Sequence, residues 1–391
     1  MSVLQLLLLA LGIVWACWFS KGQLSEVQIP GFLIALAVSW CLTPQIRAQA
    51  ARLGLVDKPD GERRIHTTPV PRLGGIPIYI SLLVTLTLIV ALTGRFPRYG
   101  GWAGIAVGGT LVFILGLLDD LESIPAKVKL LVQVLAGCAA YVLGVRIKQI
   151  PIPLNMALVL GPLHIYGGES ISLGIWSLPL TVFWLVAIAN AVNLIDGMDG
   201  LAAGVSLISA ITMWAVALAP SINQPFAALF AAVLAGALLG FLRWNFNPAR
   251  IFLGDSGAYL TGFVLGAVSI TGVLKSTTAA TLIAPTIILV LLILFFPLLD
   301  TSWAVIRRVM QHKSIFSPDA EHIHHRLLKA GLSQKNAAYV IYIISAILGL
   351  LAARCVGQHV YFMKLSLSVL ALAVFFSEVL NRHRQKHTQQ P

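Results

Sequence analysis

A chain of 391 residues that is 58% hydrophobic, 11% charged and of mean hydropathy +0.87 is not an ordinary soluble domain, in which about 25% of residues are charged. Its net charge of +12 does not call for nucleic acid, because the basic residues lie between apolar runs, where membrane topology accounts for them. The four cysteines, Cys17, Cys41, Cys138 and Cys355, are isolated in or beside those runs. They form neither a disulfide framework nor a metal-ligand spacing, and packing suits them.

In chain order, runs apolar enough to cross a bilayer lie near 3–19, 30–47, 75–94, 102–118, 128–145, 179–192, 201–219, 226–243, 257–274, 280–299, 337–353 and 361–379. They predict an all-α, polytopic integral membrane protein of about 11–12 transmembrane helices, with its active site on cytoplasmic loops and helix ends. The first run has no Lys or Arg before it and no clear small-residue cleavage site, so it reads as a retained span rather than a signal peptide. Residues 1–380 read as one transmembrane catalytic domain and 381–391 as a short, basic, disordered cytoplasmic tail. Segment 146–178, rich in Pro, Gly and β-branched residues, predicts a short hairpin or lid. Segments 48–74 and 300–336 are long enough to carry side chains into a site, and Pro318 and Asp319 predict a helix start in the second.

If every run spans, 19 of the 27 Lys and Arg residues fall on one side of the membrane, which the positive-inside rule makes cytoplasmic. All the acids except Glu26 and Glu169 fall at or near that face. Orientation does not explain them, since Asp and Glu contribute little to it.

Three acidic clusters end or begin three different runs: Asp119-Asp120, Asn190-Ala-Val-Asn193-Leu-Ile-Asp196-Gly-Met-Asp199-Gly200, and Phe252-Leu-Gly-Asp255-Ser-Gly257. Adjacent ionised carboxylates repel unless a metal, a Lys such as Lys127 or Lys129, or a retained proton intervenes. Asn190, Asn193 and Asp196 share a helix face, and Gly197 and Gly200 supply a break that would turn Asp199 toward them. Amide and carboxylate oxygens suit Mg²⁺ or Mn²⁺ rather than Zn²⁺. Asp255 reads equally as the N-cap of the following helix or as a metal ligand beside a phosphate. His322, His324 and His325 lack a zinc-site pattern and, beside Arg326, suit a pyrophosphate. The pattern points to one metal–phosphate site at a membrane surface. A transporter is the rival class, but transporters usually place such groups near the bilayer midplane, and these runs are nearly free of ionisable residues.

Together with His322-Ile-His-His-Arg-Leu327 and the Asp57-Lys-Pro, Arg64-Ile-His66 and Pro71-Arg-Leu-Gly-Gly75 elements, these motifs occur in a familiar order. The chain resembles the polyprenyl-phosphate N-acetylhexosamine-1-phosphate transferases of glycosyltransferase family 4 type from about Val56 to Leu328. Within them it is most similar to the bacterial undecaprenyl-phosphate N-acetylglucosaminyl-1-phosphate transferases. The resemblance implies an Mg²⁺-dependent enzyme of the plasma membrane, with Mn²⁺ as a possible substitute. It would move sugar-1-phosphate from a UDP-N-acetylhexosamine to a polyprenyl phosphate and release UMP.

It further implies that Asn193 and Asp255 ligate the metal, Asp119 orients or deprotonates the lipid phosphate and Lys129 contacts phosphate. Asp120, His324 and His325 complete the implied catalytic set. Asp199 would hydrogen-bond the uracil and Phe252 stack on it, with Asn190, Asp196, His66, Arg72, His322 and Arg326 as further substrate contacts. His324-His325-Arg326 replaces the three histidines of the branch that uses UDP-N-acetylmuramoyl-pentapeptide, which favours a simple UDP-N-acetylhexosamine, N-acetylglucosamine first. The first run is one span beyond the family's usual set. A homodimer is compatible with the sequence.

Overall fold

The structure, a computed structural model, describes residues 3–18, 26–57, 69–94, 101–151, 158–160, 163–165, 170–274, 286–312 and 322–356. Helices α1 (Val3–Trp18), α2 (Gln28–Arg52), α3 (Gly75–Thr93), α4 (Trp102–Leu121), α5 (Ala126–Val142), α6 (Ser177–Leu194), α7 (Leu201–Ala217) and α8 (Pro225–Asn245) are followed by α9 (Gly254–Val268), which continues into a π-helical turn, Ser269–Leu274. Then come α10 (Thr286–Ile293), α11 (Phe295–Met310), α12 (Ile323–Lys329) and α13 (Gln334–Cys355). Among the described residues seven helices are long and apolar enough to cross a membrane, or eight if the α10–α11 pair, bent by 88°, is counted as one broken span. Shorter apolar helices cover the first and seventh runs. The protein is an all-α, multi-pass membrane protein. The run at 361–379, the tail, and Pro318 with Asp319 lie outside the described residues.

The core is built on α7, α8 and α9, which are buried along nearly their whole length. The sequence explains this through size: α8 reads Ala-Ala-Leu-Phe-Ala-Ala-Val-Leu-Ala-Gly-Ala over 227–237, and small residues let helix backbones approach where lipid supplies no hydrophobic drive. A Cβ at Gly236 would collide with the carbonyl of Phe32 on α2, and one at Gly116 on α4 with the backbone of Asp255 and Ser256 on α9. Local signals agree, since Pro225 opens α8, the left-handed Gly94 closes α3, and the Ser333 side chain accepts from Asn336 N at the start of α13.

Outside the helices, Val56–Asp57 (β1) pairs antiparallel with Val70–Pro71 (β2). In the 146–178 segment, Gln149–Pro151 (β3) pairs with Ser170–Ser172 (β6), and Leu158–Leu160 (β4) with Leu163–Ile165 (β5), so the expected hairpin is formed.

The 280–299 run is not one straight span. The chain breaks at Leu294 and runs on as α11 to Met310, through what the sequence reads as loop. Pro297, in the first turn of α11, marks the new start, where a missing N–H costs nothing. On α11, Phe296, Pro297, Asp300, Ala304 and Arg308 are buried while Leu299, Trp303, Ile306, Val309 and Met310 are exposed. The helix thus turns an apolar face outward and carries Asp300 and Arg308 on its inward face.

Every motif-bearing helix end lies at the same end of the bundle. Cysteines placed at exposed Glu122 and Arg326 should therefore react with a membrane-impermeant reagent from the same side, and one at Ile175, 88% exposed, from the other. Opposite labelling of the first two positions would dismantle a single site.

Candidate active site

The centre of the site is Lys129, in the first turn of α5. Its Nζ lies 2.5 Å from Asp119 Oδ2 and 3.3 Å from Asp255 Oδ2. Asp119, near the C-terminus of α4, is further held by the backbone N–H of Ile124, which donates to Oδ1 at 2.7 Å. Asn193, in the last turn of α6, donates from Nδ2 to Asp255 Oδ1 at 3.0 Å. Four side chains from α4, α5, α6 and α9 are thus brought into one linked cluster.

Asp120 faces the other way. Its Oδ1 accepts from Asp255 N at 2.8 Å, and its Oδ2 from Ser256 N at 3.0 Å and Ser256 Oγ at 2.6 Å. α9 has no capping side chain of its own, so Asp120 caps it from α4, satisfying N–H groups that the helix cannot satisfy and opposing the positive end of its dipole. This disposes of the reading of Asp255 as an N-cap, because the cap is Asp120 and the Asp255 side chain is released into the cluster. The 71–74 segment lies against the same turn: Phe252 N donates to Pro71 O at 2.8 Å and Gly74 N to Phe252 O at 3.0 Å. Gly254 adopts φ +72, and a side chain there would strike Arg72 O and the Asp120 carboxylate. Arg72 itself pairs with Asp57 at 3.1 Å.

The Asn190–Gly200 motif divides. Asn190 donates to Gln133 Oε1 at 2.6 Å, one turn deeper than Asn193, so an amide pair joins α5 to α6. Gly200, at φ +74, makes the expected break, with its carbonyl held by Tyr342 Oη at 2.6 Å. The break does not bring Asp199 to the cluster: Asp199 Oδ2 accepts from Asn247 Nδ2 at 3.0 Å and Ala249 N at 2.9 Å, on the loop between α8 and α9. Asp196 stays with the acids. Burial first, then the charges of Asp255 and Asp120, raise its pKa to about 8.

Because that carboxyl titrates near 3.8 when unperturbed, the folded protein holds a proton that the unfolded chain has lost. Stability should fall as pH rises through this window. In the absence of divalent cation, Asp196→Asn should flatten the decline of melting temperature between about pH 6 and 8, measured in detergent. An unchanged slope would show that Asp196 is already ionised.

The histidine loop reaches the same region. His322 Nδ1 lies 2.8 Å from Asp300 Oδ2, and the His322 and His324 rings stack in parallel, with centroids 5.7 Å apart. His324 is 1% exposed, and a Cβ on Gly197 would strike its Nε2. Neither ring nitrogen of His324 has a hydrogen-bond partner, and burial lowers its pKa to about 4. In the free protein it is a neutral ring with two unmade bonds, available to a ligand rather than a fixed cation. His325 is half-buried beside it and Arg326 is exposed. α12 begins at Ile323, with His322 at its N-cap. His66 lies outside the described residues.

Sequence reasoning passed over Asp300, Gln133 and Ser256. Asp300 immediately follows the 280–299 run and carries the same signal as the other acids.

The donor set has a bearing on metal. Among the described residues no three His, Cys, Asp or Glu converge as a self-sufficient ion cage. Mg²⁺ does not require one, since it usually keeps several waters and binds through one or two carboxylates plus substrate phosphates. Asp255 with the Asn193 amide, which presents its oxygen after a half-turn, fits a site completed by substrate.

Residues 102–273 match the family described as Glycosyl transferase family 4. The chain is 35% identical over 352 residues to a probable undecaprenyl-phosphate N-acetylglucosaminyl 1-phosphate transferase of Bacillus subtilis, covering 90% of each chain. It is 34% identical to a decaprenyl-phosphate N-acetylglucosaminephosphotransferase of Mycolicibacterium smegmatis, covering 92% of this chain and 90% of that one. With the undecaprenyl-phosphate alpha-N-acetylglucosaminyl 1-phosphate transferase of Escherichia coli it shares 29% identity over 84% of each. The family match and the similarity over 90% of the chain show that it belongs to glycosyl transferase family 4, as a membrane phosphotransferase of the polyprenyl-phosphate N-acetylhexosamine-1-phosphate type.

Proposed function

We propose that the protein transfers N-acetylglucosamine-1-phosphate from UDP-N-acetylglucosamine to undecaprenyl phosphate or a similar polyprenyl phosphate, at the cytoplasmic face of the cell membrane. The observation that carries this reading is the Asp119–Lys129–Asp255–Asn193 cluster, assembled from four helix ends where a water-soluble nucleotide and a membrane lipid can meet. A lipid-phosphate oxygen attacks the sugar-bearing β-phosphorus of the UDP-sugar. The new bond forms as the diphosphate bridge breaks, and its electrons leave on UMP.

Phosphoryl transfer asks mainly for positioning and charge neutralisation. Lys129, which in the free protein offsets two carboxylates, is placed to exchange them for phosphate oxygens. Asp119 stands where it can orient or deprotonate the lipid phosphate. Asn193 and Asp255 would hold Mg²⁺, which when bound neutralises diphosphate charge and orients it. Asp120 keeps Asp255 in place. The His324 ring nitrogens, beside Gly197, suit the diphosphate, while Asp199 and Phe252 remain the candidates for uracil.

The test is UMP release by the purified protein with Mg²⁺, polyprenyl phosphate and a panel of UDP-sugars. UDP-N-acetylglucosamine should be turned over best, since His324-His325-Arg326 resembles the branch using a simple sugar. Efficient use of UDP-N-acetylmuramoyl-pentapeptide would contradict the sugar assignment, and absence of lipid-dependent UMP release would contradict the reaction.

A further inference from the structure

Asp300 belongs neither to the cluster around Lys129 nor to any motif noted in the sequence. It lies on the inward face of α11, six residues beyond the break at Leu294, and is 2% exposed. Both of its oxygens are used on one target. Oδ2 is 2.8 Å from His322 Nδ1, and Oδ1 accepts from the backbone N–H of Ile323 at 2.7 Å. α12 has no capping side chain of its own, so Asp300 caps it from a different helix.

The contact also determines which His322 nitrogen a ligand can meet. An ionised carboxylate only accepts, so Nδ1 carries the proton and Nε2 is left for a ligand. The parallel stack of His322 on His324, and the seating of His324 against Gly197, carry this order to the turn that follows Asn193. A break in the span, an acid on the bent helix, a ring tautomer and the histidine loop form one connected series.

We propose that Asp300 is a positioning residue for the transfer reaction, fixing His322 in its Nδ1–H tautomer and α12 at its start so that the histidine loop meets the diphosphate in register. This inference rests on the functional reading above. In metal sites, carboxylates that orient a ligating histidine through its second nitrogen typically change affinity or activity by about 10- to 100-fold when lost, and an effect of that order is expected here.

The experiment compares Asp300→Ala, Asp300→Asn, His322→Ala and the Asp300→Ala/His322→Ala double variant in the full-length protein. Its readouts are UMP release, melting temperature and the ¹⁵N spectrum of histidine-labelled protein. Asp300→Ala should lower kcat/KM for UDP-N-acetylglucosamine about 10- to 100-fold, with KM for polyprenyl phosphate nearly unchanged. The double variant should be no worse than His322→Ala alone, because Asp300 acts through that ring. Asp300→Asn is the discriminating case: its amide oxygen can still accept from Ile323 N–H, but its NH₂ then faces Nδ1 and favours the wrong tautomer. It should keep the wild-type melting temperature yet lose rate like Asp300→Ala.

Full activity in Asp300→Asn, or a double variant whose losses multiply, would reduce Asp300 to a helix cap and overturn the proposal. Wild-type UMP release tests the functional reading separately. The spectrum tests Asp300 even if that reading fails, because a wild-type His322 found as the Nε2–H tautomer would overturn the assignment without reference to turnover.

Discussion

Asp255→Asn should reduce turnover about a thousandfold, a loss of roughly 4 kcal/mol of transition-state stabilisation, and should move the Mg²⁺ dependence of the rate to higher concentration. Asp255 is the residue most connected to the rest of the site: its side chain meets Lys129 and Asn193, and its backbone is held by Asp120. The amide keeps the shape and removes the charge. Asn193→Ala should shift the Mg²⁺ curve in the same direction. Asp119→Asn should lower the maximal rate while leaving that curve in place, since a group that acts on the nucleophile is felt mainly in the transition state. Titrating rate against Mg²⁺ for the three variants separates the roles. A normal curve and near-normal maximal rate for Asp255→Asn would remove it from the metal site.

Gly116→Val should be the most damaging change away from the charged groups. At Gly116 α4 meets the backbone of Asp255 and Ser256, and any Cβ there collides with it. Helix backbones do not yield as a flexible side chain would, so α4 must move off α9, and Asp120 loses its hold on the turn that carries Asp255. Overpacking of this kind costs about 1–3 kcal/mol. Misplacing a reacting group by about 1 Å can cost a hundredfold in rate. Both should appear, as a lowered melting temperature and at least that loss of UMP release. Gly109→Ala, on the same helix, is the control: its Cβ would sit 3.5 Å from Leu260 Cδ1, an ordinary contact, and activity should be kept.

Much of this arrangement is legible in the sequence. Hydropathy located the helices because a bilayer forces each span to satisfy its own backbone, and acids at span ends marked the site because no topological rule accounts for them. Partnership between helices was not legible. Nothing local to Asp120 says that it caps α9, and nothing local to Asn190 distinguishes its pairing with Gln133 from a substrate contact. Helical periodicity put Asp196 with Asn193, but the direction of Asp199 depended on where the loop between α8 and α9 came to rest. Asp300 was missed for another reason. The 280–299 run reads as one straight span, which leaves Asp300, just beyond it, in a loop, whereas Pro297 marks a new helix there.

On this reading the helix ends transfer a phosphosugar and not a sugar alone. Its most direct test follows the two phosphorus atoms of UDP-N-acetylglucosamine separately, with the purified protein, Mg²⁺ and a polyprenyl phosphate. The β-phosphorus label should pass into the lipid while the α-phosphorus label leaves entirely as UMP. Release of both labels together as UDP, with only the sugar on the lipid, would contradict it.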